Sequence, residues 1–187
     1  MHNVLPHERP YLLMDYLARL FVAQLAHSVI VHCEEGRRQL WRAFRRRRRV
    51  FMGYLGHYVG AYPDAVSRLD ARAMLGIASD QIVFLFFGNV RPYKGLEKLM
   101  NEFKALDSQR LLLLIAGRAL DDSYEALIRR IGLGDDRIRT MISWIDDEDV
   151  HVYFNASDVV VLPFTNILTS SSVLTALSFG KPVIAPA

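Results

Sequence analysis

Apolar runs of strand length alternate with amphipathic segments of helix length along almost the whole of this 187-residue chain. Such a chain buries both kinds of segment by forming βαβ units around a parallel sheet. The run Ile82 to Phe87 is apolar at every position. A strand with no polar alternation must be covered on both faces, so it predicts a central strand with helices above and below. Further strands are expected at Leu111 to Ala116, Arg137 to Ser143, Asp158 to Leu162 and Pro182 to Ala185. Helices are expected at Ser67 to Leu75, Gly95 to Leu106, Ser123 to Ile131, Asp147 to Ala156 and Ser170 to Phe179. The earlier part of the chain repeats the alternation. A helix from Pro10 to His27 shows Leu13, Leu17, Leu20, Phe21 and Leu25 at helical spacing. It is followed by a strand at Ser28 to Cys33, a helix at Glu34 to Arg45 and a strand at Val50 to Leu55. Gly56 to Asp64 is rich in turn formers and reads as a linker. The expected fold class is α/β, a Rossmann-like parallel sheet with helices on both faces over residues 64–187, preceded by a smaller unit over residues 1–63. The larger unit ends on a strand with no helix after it and reads as incomplete there.

Composition narrows the setting. Hydrophobic residues make up 51% and charged residues 23%, which suits a chain that buries a core. A mean hydropathy of +0.12 is slightly apolar, leaving surface for a partner, a membrane or another domain. No apolar run reaches the ~20 residues that span a bilayer. Met1 to Pro10 holds two histidines and a glutamate where a secretory leader needs an apolar core. The single cysteine, Cys33, cannot form an internal disulfide and fits a reducing compartment; it reads as a small buried residue at a strand end. The expected location is cytoplasmic. The net charge of +3 hides an uneven distribution, because eight arginines lie between Arg37 and Arg49: Arg37, Arg38, Arg42, Arg45, Arg46, Arg47, Arg48 and Arg49. Such a block attracts phosphate on a lipid, a nucleic acid or a nucleotide, and it reads equally as a solvated helix end. No interleaved aromatics and no helix-turn-helix pattern support nucleic acid. Nucleic acid is therefore not the expected partner, and an anionic membrane surface, at the inner face of a membrane, stays open as one beside the solvated helix end.

Two loops carry the chemistry. Gly88 directly follows a buried strand, where it lets the backbone turn tightly and a phosphate-bearing ligand come close. Arg91 and Lys94 add two cations just before a helix, whose amides add their own pull on an anion. Ligands of open α/β sheets bind outside the carboxyl ends of the strands, where this loop lies. A surface loop that happens to be basic is the alternative. The second loop runs from Leu162 to Ser172 and ends in four hydroxyl residues, Thr169, Ser170, Ser171 and Ser172, at a helix start. They can cap the helix or hold a phosphate oxygen. The acidic cluster Asp146 to Asp149 includes the spacing of a metal-binding pair but opens a helix, so it is expected to cap, with Asp146 as the capping residue. Gly132 and Gly134 lack the preceding strand that a dinucleotide fingerprint requires.

In order along the chain, Phe87 to Glu97, Leu113 to Gly117, Asp135 to Ile138, Ala156 to Pro163 and Ala176 to Ala185 resemble the GT4-type family of GT-B glycosyltransferases. His2 to Glu8 and Val29 to His32 resemble the second half of that family's N-terminal lobe, so residues 1–63 would be a remnant of the acceptor lobe and residues 64–187 the sugar-nucleotide lobe. The resemblance implies transfer of a hexose, with retention, from a nucleotide-diphosphate sugar. It implies that Arg91 and Lys94 neutralise the donor pyrophosphate and that Gly88 gives close access. Trp144 and Ile145 would contact the base, and His2 would lie near the transferred sugar with a catalytic or orienting role. Cations stabilise the leaving diphosphate in this family, so neither a metal nor any other cofactor is expected. The family's glutamate pair appears here as Ile167 and Thr175, and Thr169 to Ser172 resembles a Thr-Ser-Gly-Ser variant of the donor loop. The linker's histidine–glycine appears as Leu55 and Gly56. An alternative is a non-catalytic donor-binding or partner subunit that works with a complementary polypeptide.

Overall fold

Side chains of the central strands alternate between two separate cores, and that alternation sets the layers of the fold. The computed structural model describes residues 12–164 and 169–186. They divide into two compact units. The first holds the described residues up to Gly56 together with Thr169 to Ser171; the second holds His57 to Phe164 and Ser172 to Pro186.

In the first unit, helix α1 (Leu12–Leu25) leads into strand β1 (Val29–Val31), helix α2 (Glu34–Phe44) and strand β2 (Val50–Met52). The strands pair in parallel with Val29 opposite Val50. Ala23, Val29, Val31, Leu40 and Phe44 form a small core between them. Cys33 does more than fill space at a strand end: it is half-buried, and its Sγ accepts the Gly36 amide at 3.3 Å as the N-cap of α2. The chain leaves α2 through Arg45 in the left-handed region, with φ 54°. Arg46 then turns back and donates to the carbonyls of Ala23, Gln24, Ala26 and His27. One guanidinium thus satisfies carbonyls at and just beyond the C-terminal end of α1, which are left without helical partners.

The second unit runs α3 (Arg68–Met74), β3 (Ile82–Phe87), a 3-10 turn (Pro92–Lys94), α4 (Leu96–Lys104), β4 (Leu111–Ala116), α5 (Asp122–Gly132), β5 (Ile138–Met141), α6 (Val150–Ala156), β6 (Val159–Val161), α7 (Ser171–Ser178) and β7 (Val183–Ile184). Its sheet has the order β5-β4-β3-β6-β7, and every described pairing is parallel. Val83, Leu85, Leu112 and Leu114 pack with Ala71 of α3, Val150, Val152 and Phe154 of α6, and Ala176 of α7. Phe86, Leu113 and Ile115 point the other way, onto Leu96, Met100 and Phe103 of α4 and Tyr124 and Ile128 of α5. This is the two-faced parallel sheet that the continuous apolar runs require.

Two polar devices tie the layers. Asp158 accepts the Val83 amide at 2.7 Å and pairs with Arg72 at 2.7 Å and Arg68 at 2.5 Å. Arg72 is fully buried and also donates to the carbonyls of Ala156, Ala78, Ser79 and Gln81. On the same side, Tyr58, Tyr62, Phe179 and Phe154 stack in series, and Ser178 Oγ accepts the Tyr58 amide at 2.9 Å. His57 to Asp64 is held to the second unit in this way.

The acidic cluster does not cap a helix as expected. Helix α6 begins only at Val150; Asp149 precedes it with no side-chain capping bond, and the Asp149 amide closes a turn on the Asp146 carbonyl at 2.9 Å. The Asp146 carboxylate instead accepts the Trp144 indole N–H at 2.8 Å. Among the described residues, no three His, Cys, Asp or Glu side chains gather as a metal-holding group, and no helix is long and apolar enough to cross a membrane.

Candidate functional site

The strand order reverses direction between β3 and β6, since β4 and β5 lie to one side of β3 and β6 and β7 to the other. An open α/β sheet has its ligand crevice at such a switch point, beyond the carboxyl ends of the strands. Two loops meet there, and glycines decide how closely. Gly95 has φ 71°, and a Cβ on it would lie 2.3 Å from the Pro163 carbonyl oxygen, so the loop after β3 touches the loop after β6 through bare backbone. Gly117, after β4, has φ 136°, and a Cβ there would lie 2.1 Å from the Gly88 carbonyl oxygen. Only a residue without Cβ fits either place. The sequence reading singled out neither glycine for this purpose, although Gly117 follows its apolar strand just as Gly88 follows its own.

Gly88 itself, with φ 118°, opens a small space. A Cβ there would sit 3.4 Å from Lys94 Nζ and 3.7 Å from Ser172 Oγ. Lys94 is only 7% exposed. Its ammonium lies 5.2 Å from the centre of the Phe164 ring, and no carboxylate among the described residues pairs with it. Burial, reinforced by the positive charge of Arg91, pulls its pKa from 10.5 down to about 8. The site is therefore a desolvated cation beside a glycine that adds no side chain against it, and a charge of that kind is costly until an anion joins it. Arg91 is half-buried and immediately precedes the 3-10 turn that carries Lys94.

Of the hydroxyl residues, Ser172 is the one placed beside Gly88 and Lys94; Thr169, Ser170 and Ser171 belong to the first compact unit. Thr175, one turn along α7 from Ser172, is buried. Trp144 lies beyond β5, 69% exposed with its indole held by Asp146, and Ile145 beside it packs into the α3/α6 core. The loops after β4 and β5 are tied together where the Gly117 amide donates to the Met141 carbonyl at 3.2 Å. His2 lies outside the described residues, as does Ile167.

Comparison with known proteins agrees with this architecture. The chain is 32% identical over 102 residues to a GDP-mannose:glycolipid 4-beta-D-mannosyltransferase of Xanthomonas campestris, a match covering 54% of this chain and 29% of that protein. It is 25% identical over 183 residues to a D-inositol 3-phosphate glycosyltransferase of Streptomyces avermitilis, covering 90% of this chain and 39% of that one. Among solved structures, the Anabaena protein HepE in complex with UDP-glucose superposes with a TM-score of 0.84 at 19% identity, over 99% of this chain and 51% of that one. The chain thus spans well under half the length of these curated relatives. Residues 67–187 match the family described as glycosyl transferases group 1. The parallel sheet, the loops at its switch point and this match together place the chain in the glycosyl transferases group 1 family.

Proposed function

We propose that the second unit binds the diphosphate of a nucleotide sugar at the switch point, and that the chain serves a transferase moving a hexose, with retention, onto an acceptor hydroxyl. The observation that carries this reading is the buried Lys94 ammonium, without a carboxylate partner among the described residues, facing Gly88 and Ser172. A diphosphate supplies the missing anion, and Arg91 and Lys94 then stabilise the charge that builds as the bond from the anomeric carbon to the diphosphate breaks. In this reading no metal or other cofactor is needed for that charge. Trp144 and Ile145 receive the base, and Ser172 and Thr175 complete the donor pocket of the second unit. Of the named proteins, one acts with GDP-mannose and one is bound to UDP-glucose, which supports a hexose donor; the first acts on a glycolipid, a class of acceptor that fits here too. Retention requires the product to keep the anomeric configuration of the donor, so NMR of the product tests it and the opposite anomer would overturn it; the name of that relative specifies a β-linked product. Cys33, a free thiol, fits a cytoplasmic setting.

Replacing both Arg91 and Lys94 by alanine is expected to weaken nucleoside diphosphate binding by several kcal/mol, at roughly 1.5–3 kcal/mol per charged hydrogen bond. Wild-type affinity should be the same with and without a chelator. Calorimetry showing unchanged affinity in a folded double variant would overturn the assignment, and binding that needs manganese would overturn the metal-free part of it. A second reading, a donor-binding or partner subunit without its own catalysis, is favoured by Ile167 and a buried Thr175 standing where the family carries glutamates.

A further inference from the structure

Four lysines stand in the chain, and the fold gives each a different setting. Lys98 is exposed on α4. Lys104 donates to the carbonyls of Ile131 and Leu133, and Lys181 to the Ser157 carbonyl at 3.0 Å. Lys94 differs from all three: it is buried, and its nitrogen has no hydrogen bond or ion pair among the described residues. The groups that face it carry no charge. A Cβ on Gly88 would touch both the Lys94 nitrogen, at 3.4 Å, and Ser172 Oγ, at 3.7 Å, and the Phe164 ring lies on the side of the loop after β6. The positive charge that acts on it is that of Arg91.

An amine so placed has two properties at once. Burial disfavours the ammonium and Arg91 repels it, so at pH 8 about half of the group is free amine, against under about 1% of a lysine that keeps a pKa of 10.5. A desolvated free amine in a formed pocket is a nucleophile. The same pocket is also a seat for an anionic leaving group, because the Arg91 guanidinium and the Ser172 hydroxyl suit phosphate oxygens. A nucleophile beside an anion seat selects an electrophile that carries phosphate next to its reacting carbon. Acyl phosphates, the mixed anhydrides of a carboxylic acid and phosphoric acid, have that form.

We propose that Lys94 is an acylation site for acyl phosphates, and that its acylation closes the diphosphate site. The Lys94 nitrogen attacks the acyl carbon, a carbon–nitrogen bond forms, and the carbon–oxygen bond to phosphate breaks. Inorganic phosphate departs with the electron pair beside Arg91, and the amine proton passes to it or to water. Nothing is oxidised or reduced. The product is a neutral amide, which carries no desolvated charge and so suits the pocket without an anion. Acylation removes a cation that would hold a diphosphate and fills the space beside Gly88. The inference rests on the donor-site reading for its anion seat.

The test is incubation of the full chain with acetyl phosphate at pH 8, with acetylation at each of the four lysines followed by mass spectrometry after digestion. Lys94 should react at least about tenfold faster than Lys98, its larger fraction of free amine outweighing its lower basicity. The Lys94 rate should saturate with acetyl phosphate and be suppressed by inorganic pyrophosphate, while the Lys98 rate does neither. N-acetoxysuccinimide, an acetylating ester without phosphate, should show no saturation at Lys94. The acetylated chain should bind nucleoside diphosphate at least about tenfold more weakly, one charged hydrogen bond having been lost. Lys94 reacting no faster than Lys98, or reacting at a rate that pyrophosphate leaves unchanged, overturns the inference. If the unmodified chain then still binds nucleoside diphosphate, the donor-site reading survives that result. Saturable acetylation of Lys94 in a chain that binds no nucleoside diphosphate would instead remove the donor-site reading and the closure with it, and leave the acylation site.

Discussion

Lys94 concentrates the energetics of the site in one proton. Burial, with Arg91 adding to it, sets its pKa at about 8 instead of 10.5, so in the free protein the charged form is disfavoured. A lysine whose folded pKa is depressed costs stability in full below the folded value, and the cost disappears as pH rises through the unfolded value. The free protein should therefore gain about 3 kcal/mol from this group between about pH 8 and 10.5, at roughly 1.4 kcal/mol per unit. A bound diphosphate favours the charged form and reverses that preference. Above pH 8, nucleoside diphosphate binding should then take up a proton and weaken as pH rises. Calorimetry in buffers of different ionisation enthalpy reads the uptake directly; no uptake at that pH would show that Lys94 does not meet the anion. Trp144 carries a second residue-scale expectation. It is 69% exposed and its indole N–H is held by Asp146, which leaves the ring accessible to a base. Trp144→Ala should weaken nucleoside diphosphate binding about tenfold, one stacked base being worth roughly 1–3 kcal/mol, and leave inorganic pyrophosphate binding unchanged. An equal loss for both ligands would remove the base from that position.

Elements were legible where their causes are local. Strands β3 and β4 are as the apolar runs predict, because continuous burial on two faces leaves no other reading of Ile82 to Phe87 and Leu111 to Ala116. The start of α6 was misread because Asp146 to Asp149 have the composition of a first helical turn, while the indole of Trp144 takes the carboxylate that would have capped. Likewise Gly88, Arg91 and Lys94 stand out in sequence as a glycine and two cations after a strand. The burial of Lys94 depends on Phe164, far along the chain, and could not be read. Arg72 is the clearest case of a non-local cause. By composition it is a surface residue of a short helix; in the fold its guanidinium joins α3, the end of α6 and the entry to β3 through Asp158. Burial alone would raise the Asp158 pKa, but the Val83 amide and the two arginines outweigh it and hold the carboxyl below its usual range. A depressed carboxylate stabilises the fold above its unfolded pKa, and that contribution is lost as pH falls through the folded value. Arg72→Ala should cost about 3–5 kcal/mol, since it strips one partner from a buried pair and orphans several carbonyls. Arg72→Lys should recover little, because an ammonium cannot reach the same five acceptors from one plane. Denaturant midpoints for the two variants within error of wild type would show that the network is not holding the layers together.

At the scale of the whole molecule, the two units differ in what each can do unaided. The second has a five-stranded sheet with a core on each face and holds the loops that would grip a donor. The first has, among its described residues, two short strands, two helices and a small core. A two-stranded sheet is marginal by itself, and its open edges are templates for further pairing. Sugar transfer needs an acceptor hydroxyl held against the anomeric carbon while the diphosphate departs, and most of the rate advantage of such a site comes from fixing both reactants in one geometry. A unit this small offers little to fix an acceptor, and the matched relatives are far longer, this chain spanning 29% and 39% of two of them. The 187-residue polypeptide alone is therefore expected to bind nucleoside diphosphate, to associate with itself weakly, and to show little or no transfer. Supplying a complementary polypeptide that adds strands to the β1–β2 sheet should raise turnover well above that background. The assay is release of nucleoside diphosphate from the nucleotide sugar with and without that polypeptide, alongside product detection by mass spectrometry. Robust transfer by the purified chain, with no added protein, would refute the expectation. Restored association with no turnover would instead favour a donor-binding partner subunit, because the positions where the family carries glutamates, Ile167 and Thr175, would then mark a site that binds without reacting.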